Sequence, residues 1–252
     1  MAKPLDWLAV WTLVYGPSGA LCAHAAERID LISTAPGPPW RVQSFDTDVP
    51  ATLFRSMIWD GVTAIESVAR ASMGLLVRPL DVDLSATPVL CWRWRIDAPL
   101  QRADLATRSG DDFAARIYLA FDVPAESMSI AERAKLRIAR SMHGASVPSA
   151  AINYVWDNRY PVGTIRASAY TKRVRLVVLR SGARDVGAWV SERRDLLADV
   201  EALFGAKHPG RLSIAIGSDT DNTGEHARAG FADIHLRPRA APCNYGPVEP
   251  TH

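Results

Sequence analysis

Residues 110–122 read GDDFAARIYLAFD, and the fold class turns on this stretch. Phe113, Ala115, Ile117, Leu119 and Phe121 take every second position, with Asp112, Arg116, Tyr118 and Asp122 between them. Successive side chains leave a pleated strand on opposite faces, so this period of two predicts a strand with one face on a core. The same alternation lies upstream, where Leu90, Trp92, Trp94 and Ile96 interleave with Cys91, Arg93 and Arg95. Working outward, strands are predicted at residues 41–45, 62–69, 151–157, 164–170, 174–180, 188–192, 211–217 and 231–236. Residues 174–179 are apolar on both faces apart from Arg175, as expected of a central strand.

Two helices interrupt the strands. Ser129-Ile130-Ala131-Glu132 has capping-box spacing, Ile130, Ala134, Ile138 and Met142 form a stripe, and Gly144 is placed to stop it. Arg133, Lys135, Arg137 and Arg140 on this helix read as a solvated face, with a membrane-surface helix as the competing reading. The second helix is expected at residues 195–204, with Leu196, Val200 and Phe204 as its stripe and Gly205 as its stop. Strands in excess with two short helical insertions predict a mainly β chain. The expected architecture is a jelly-roll-like antiparallel β-sandwich rather than alternating β-α units.

The chain has 252 residues, 48% of them hydrophobic and 22% charged, an ordinary globular balance. A net charge of +2, from 29 basic and 27 acidic side chains, is too balanced to argue for nucleic acid or an anionic membrane surface by long-range attraction, and no nucleic-acid partner is expected. Residues 1–25 read as a signal peptide: Lys3, an apolar core WLAVWTLVY at 7–15, a break at Gly16-Pro17, and Ala23-His24-Ala25 as an A-x-A cleavage site. That core is shorter than the roughly 20 residues a membrane-spanning helix needs, so no transmembrane span is expected after cleavage. A periplasmic or secreted location follows, with residues 26–236 as one β-sandwich domain and residues 237–252 as a loose Pro-rich tail. In an oxidising compartment Cys91 and Cys243 can bridge; the alternative is a buried thiol at 91 and a free one in the tail.

The common catalytic motifs, among them G-x-S-x-G, H-E-x-x-H and G-x-G-x-x-G, do not occur. Asp219-Thr220-Asp221-Asn222-Thr223-Gly224 carries oxygen side chains at positions one, three and five and Gly at six, like the opening of a calcium loop. Position twelve is Gly230 instead of Glu, so it is not an EF-hand. An Asx-rich hairpin turn competes with a structural Ca2+ site of Asp219, Asp221 and Thr223, with Asp233 one strand over as a further ligand. Asp112, Arg116 and Tyr118 share one face of a predicted strand. Either Asp112, Arg116 and Asp122 form an exposed ladder of charge pairs, or Asp112, Arg116 and Tyr118 form a ligand contact, with donors, acceptors and an aromatic plate for a sugar. Asp111, Asn153 and Trp156 extend that candidate ligand site. Trp92 and Trp94 are expected in the core.

Several of these segments together resemble a bacterial family known as domain of unknown function 3047: Trp92-Arg93-Trp94, residues 110–118, Asn153-Tyr154-Val155-Trp156, residues 189–195 and residues 218–223. The resemblance runs from about Trp40 to Leu236 and implies an exported bacterial β-rich domain, with no activity, cofactor or catalytic residue to carry over. Phe231-Ala232-Asp233-Ile234-His235-Leu236 is also similar to the last strand of galactose-binding-like and carbohydrate-module jelly rolls. The expected function is a non-catalytic domain for a glycan or other polar envelope ligand. The rivals are a jelly-roll glycan hydrolase or lyase and a purely structural envelope protein. Carboxylates facing each other across a groove would favour the enzyme.

Overall fold

The computed structural model describes residues 28–32, 37–44, 48–143 and 147–246. The expected leader, Phe45, Gly144, Pro247 and Pro250 lie outside the described residues. In chain order the strands are β1 (Ile29–Asp30), β2 (Arg41–Gln43), β3 (Leu53–Trp59), β4 (Val62–Arg70), β5 (Leu75–Leu80), β6 (Val89–Ile96) and β7 (Phe113–Phe121). After helix α1 (Ile130–His143) come β8 (Ala150–Asp157), β9 (Ile165–Ala167), β10 (Val174–Ser181) and β11 (Val190–Asp195). Helix α2 (Leu196–Phe204), β12 (Leu212–Asp219) and β13 (His226–Arg237) complete the order.

These elements build a jelly-roll-like β-sandwich of two sheets. One runs β11-β6-β13-β4-β3, with β1 also on β13, and the other runs β2-β5-β12-β7-β8-β10-β9. All pairings are antiparallel except β8 with β10, which are parallel. The predicted strands survive with shifted ends. β3 and β5 carry no clear alternation and went unread: β3 is an edge strand with Leu53 and Ile58 exposed, and β5 contains Pro79.

The core sits between the sheets. Trp92 and Trp94 reach across from β6 to Tyr154 and Trp156 of β8, with ring centroids 5.8 Å apart in each pair. Three of the four buried polar tips are paired, and Trp92 Nε1 has no partner among the described residues. Trp94 Nε1 donates to Glu192, Trp156 Nε1 to the Gly182 carbonyl and the Tyr154 hydroxyl to Asp199. Ala115, Ile117, Leu119 and Phe121 join this core, as alternation requires. Phe113 does not. It packs with Leu105, Val155, Leu176 and Val178 in a second cluster on the outer side, where β12 shifts register between Gly217 and Asp219.

Both helices are capped as the sequence dictates. Glu132 and Ser129 bond reciprocally at the start of α1, while Asp195 accepts from Ala198 N and Gly205 takes a left-handed φ of 67° at the end of α2. Leu196 and Val200 of α2 are buried, but Ile130 and Ile138 of α1 are exposed, so the α1 stripe does not face the sandwich.

The tail is not loose over residues 238–246. Cys91 and Cys243 form a disulfide, Tyr245 donates to the Glu192 carbonyl and Gly246 N to Asp233. Arg93 also stacks near the Tyr245 ring, 5.7 Å from its centroid. The proline count alone hid these anchors. The bridge closes a long loop, with its cysteines 152 residues apart, and long loops lose much chain entropy on closure. Reduction, or Cys243→Ser, is expected to lower unfolding stability by about 2–4 kcal/mol, read from chemical denaturation with and without a dithiol.

Candidate functional site

Strand register places one row of residues across the outer face of the seven-stranded sheet: Arg41, Val77, Ala215, Tyr118, Asn153, Leu176 and Arg166. Tyr118 and Asn153 stand at its middle, and small Ala215 beside them adds little bulk. Arg116 lies on the same face one step along β7, opposite Val155. The face is partly roofed by Leu105 and Tyr160, which pack on the second apolar cluster, and Tyr160 is tied to Asp104 by a 3.0 Å hydrogen bond.

At the end of this face the start of β7 meets the turn between β12 and β13. Asp219 Oδ1 accepts from Phe113 N at 3.1 Å, and Oδ2 receives Arg116 Nη2 at 3.0 Å. Asp112 caps the turn, accepting from Asn222 N and Nδ2 on Oδ1 and from Thr223 N at 2.7 Å on Oδ2. Gly224, with φ 65°, closes it through a bond to the Thr220 carbonyl. The Asp219–Gly224 motif folds as a turn around the carboxylate of Asp112, which lies one residue before β7. One oxygen each of Asp112, Asp219 and Asp221 lie within 4.8 Å of one another.

Burial dominates the electrostatics, with the crowding of like charges behind it. Burial, and behind it the carboxylates of Asp112, Asp111 and Asp221, push Asp219 up to about 8 against the pull of Arg116. Burial also raises Asp111, with Asp112 and Asp221 adding to it, and raises Tyr118 to about 12. Arg116 Nε, Asn153 Oδ1, Asp111 Oδ1 and Thr223 Oγ1 are among the buried atoms without a hydrogen-bond partner among the described residues.

The structure thus brings Asp111, Asp112, Arg116, Tyr118, Asn153, Asp219, Asp221 and Thr223 to one region. It corrects their expected exposure: Asp112 is 1% and Arg116 4% exposed, because the β12–β13 turn covers what alternation presents as an open charged face. Asp122 leaves that ladder to bind Arg140 and Arg211. Trp156 points into the core and leaves the ligand site. Asp233 is no ligand of the turn, since it pairs with Arg93 and holds the tail at a bulge where its φ is 52°. Tyr170 and Asn222 were missed. The Tyr170 hydroxyl bonds Asn222 Oδ1 and the Arg108 carbonyl, both at 3.2 Å, forming a rim over the acidic cluster. No local sequence signal marks that contact, which joins residues 52 apart.

A separate cleft of about 640 Å³ lies beside the β10–β11 connection, lined by residues including Arg180, Asp185 and Glu192. Its two acids are both tied to Arg180, so it offers no unpaired carboxylate pair.

A family model described as a protein of unknown function (DUF3047) matches residues 38–235. The chain belongs to the DUF3047 family. No curated protein matches it. Among solved structures, this DUF3047 chain is similar to the xyloglucanase domain of NopAA, a type three effector from Sinorhizobium fredii, in complex with cellobiose. Identity is 8%, coverage is 80% of this chain and 96% of that one, and the TM-score is 0.36. Endoglucanase 3 of Trichoderma harzianum, from family GH12, is 5% identical, with 80% of this chain and 98% of that chain covered and a TM-score of 0.36. Overlays this loose do not bear on what the chain does.

Arg116 is the partner of a buried carboxylate and so helps to hold the fold. Removing one member of a buried pair strands the other, so Arg116→Ala is expected to lose about 3–5 kcal/mol in equilibrium denaturation. A loss under 1 kcal/mol would return Arg116 to an open surface.

Proposed function

We propose that the chain is an exported, non-catalytic domain that binds a glycan or another polar envelope ligand over Tyr118 and Asn153, beside the Asp111–Arg116 corner. One observation carries this reading. A buried donor, Arg116 Nε, and buried acceptors, Asn153 Oδ1 and Asp111 Oδ1, stand without partners on one sheet face next to a half-buried tyrosine. Folded chains pair nearly all buried polar groups, since leaving one unpaired costs about 1–3 kcal/mol. A ligand whose hydroxyls both donate and accept satisfies all three, and an aromatic side chain beside them suits a sugar ring. The engagement of the acids supports binding over hydrolysis: Asp112 is held by the Asn222 and Thr223 amides, and Asp219 by Phe113 N and Arg116.

The same acids suit a structural Ca2+. Asp112, Asp219 and Asp221 bring three hard carboxyl groups together beside one guanidinium, and Thr223 Oγ1 is a further hard oxygen. Bound calcium would raise the melting temperature with concentration, by about 2.7 kcal/mol of stabilisation at a hundredfold excess over Kd, and Asp221→Asn should abolish the rise. Identical melts in calcium and in chelator would remove the ion from the reading.

The ligand is tested by a glycan screen on the protein lacking residues 1–25. For any glycan found, Tyr118→Phe and Asn153→Ala should each weaken binding roughly tenfold, about 1.4 kcal/mol, while melting stays cooperative. Binding unchanged in both variants, or no binder in the screen, overturns the reading.

A further inference from the structure

Helix α1 is built inside out. Its stripe Ile130, Ala134 and Ile138 recurs at every fourth residue and so runs along one face, yet Ile130 is 79% and Ile138 60% exposed, and Ala131 and Ala134 are exposed beside them. The side that meets the sandwich is held largely by polar contacts. Arg140 donates to Asp122 at 2.6 Å and to the Val147 carbonyl at 2.9 Å, Glu132 meets Arg173 at 3.4 Å, and Leu136 is partly buried. Burial in the chain's own core therefore does not account for the apolar stripe.

The charges around it narrow what covers it. At 100° per residue, Arg133 and Arg137 fall along one edge of the stripe and Lys135 along the other, and all three are exposed. The one acid of the helix, Glu132, is turned toward Arg173. An apolar strip with cations on both margins matches a surface that is apolar within and anionic at its boundary. Isoleucines enter the acyl region while long basic side chains reach back to the headgroups. A solvated insertion needs charges on this face but has no use for two isoleucines at its crest.

We propose that α1 is an interfacial helix that lays Ile130, Ala134 and Ile138 on an anionic lipid surface. It acts as a peripheral contact: no helix among the described residues is long and apolar enough to cross a membrane. The proposal does not depend on the glycan reading, and its test uses no glycan.

The test is sedimentation of the protein lacking residues 1–25 with vesicles of phosphatidylcholine alone and of phosphatidylcholine with phosphatidylglycerol. Partition should be confined to the anionic vesicles and should fall with added salt. The double variant Ile130→Asp/Ile138→Asp should lose at least tenfold in partition, with an unchanged melting temperature, since both side chains are exposed already. Lys135→Gln and Arg137→Gln should each lower partition roughly fivefold, the equivalent of about 1 kcal/mol for each cation near such a surface. No partition by the wild-type protein overturns the proposal, as does equal partition of the isoleucine variant. A wild-type dimer in sedimentation velocity without lipid, converted to monomer by the isoleucine variant, also overturns it by assigning the stripe to a second copy.

Discussion

Arg116 and Asp219 meet at 3.0 Å with 5% and 2% of their side chains exposed, and much of the second sheet is arranged around that contact. A guanidinium and a carboxylate withdrawn from water are tolerated only if each finds its partner and further hydrogen bonds satisfy what remains. Asp219 obtains its second bond from Phe113 N, which fixes where β7 begins against β12. The register shift between Gly217 and Asp219 follows, and with it the turning of Phe113 away from the main core. Asp112, one residue before the strand, then lies where its carboxylate can hold the Asn222 and Thr223 amides. Strand start, turn conformation and charge cluster are one construction.

Much of the architecture was legible because sheet burial writes itself into alternation. Trp92 and Trp94 in phase with Leu90 and Ile96 announced a buried face, the capping box at Ser129 announced where the first helix begins, and Gly205 announced where the second ends. Edge strands announced less. β3 has solvent on much of its length, so nothing in its side chains alternates. Polar residues on the second sheet misled for a different reason. Period two gives the side of a strand on which Arg116 lies, but whether that side meets water depends on a turn 103 residues downstream, at Asp219. Trp156 was ambiguous for want of the same information, since both faces of β8 are buried and alternation there distinguishes nothing. Asp233 shows the limit of reasoning by proximity: one strand over in sequence, it belongs to the opposite sheet, holding the tail.

The three features most relevant to function share an imbalance between a residue's chemistry and its surroundings. Arg116 and Asn153 have polar atoms that the fold leaves unpaired. The three aspartates are crowded beside one arginine. The crest of α1 is apolar where water meets it. By contrast, buried Glu66 is met by Arg55 and Arg228, and the indole of Trp59 lies against the guanidiniums of Arg95 and Arg228.

The disulfide has a mechanical consequence. β13 lies in the interior of its sheet, between β4 and β6, and continues directly into the tail. Without a crosslink, tension on the C-terminus would act at Arg237 and peel β13 from its neighbours one hydrogen bond at a time. With Cys243 fastened to Cys91, the load enters the sheet on β6, directly opposite His235, and passes across the strands in shear. Rupture must then break many backbone bonds at once, so the bridge protects the closing strand from any partner that pulls on the end of the chain.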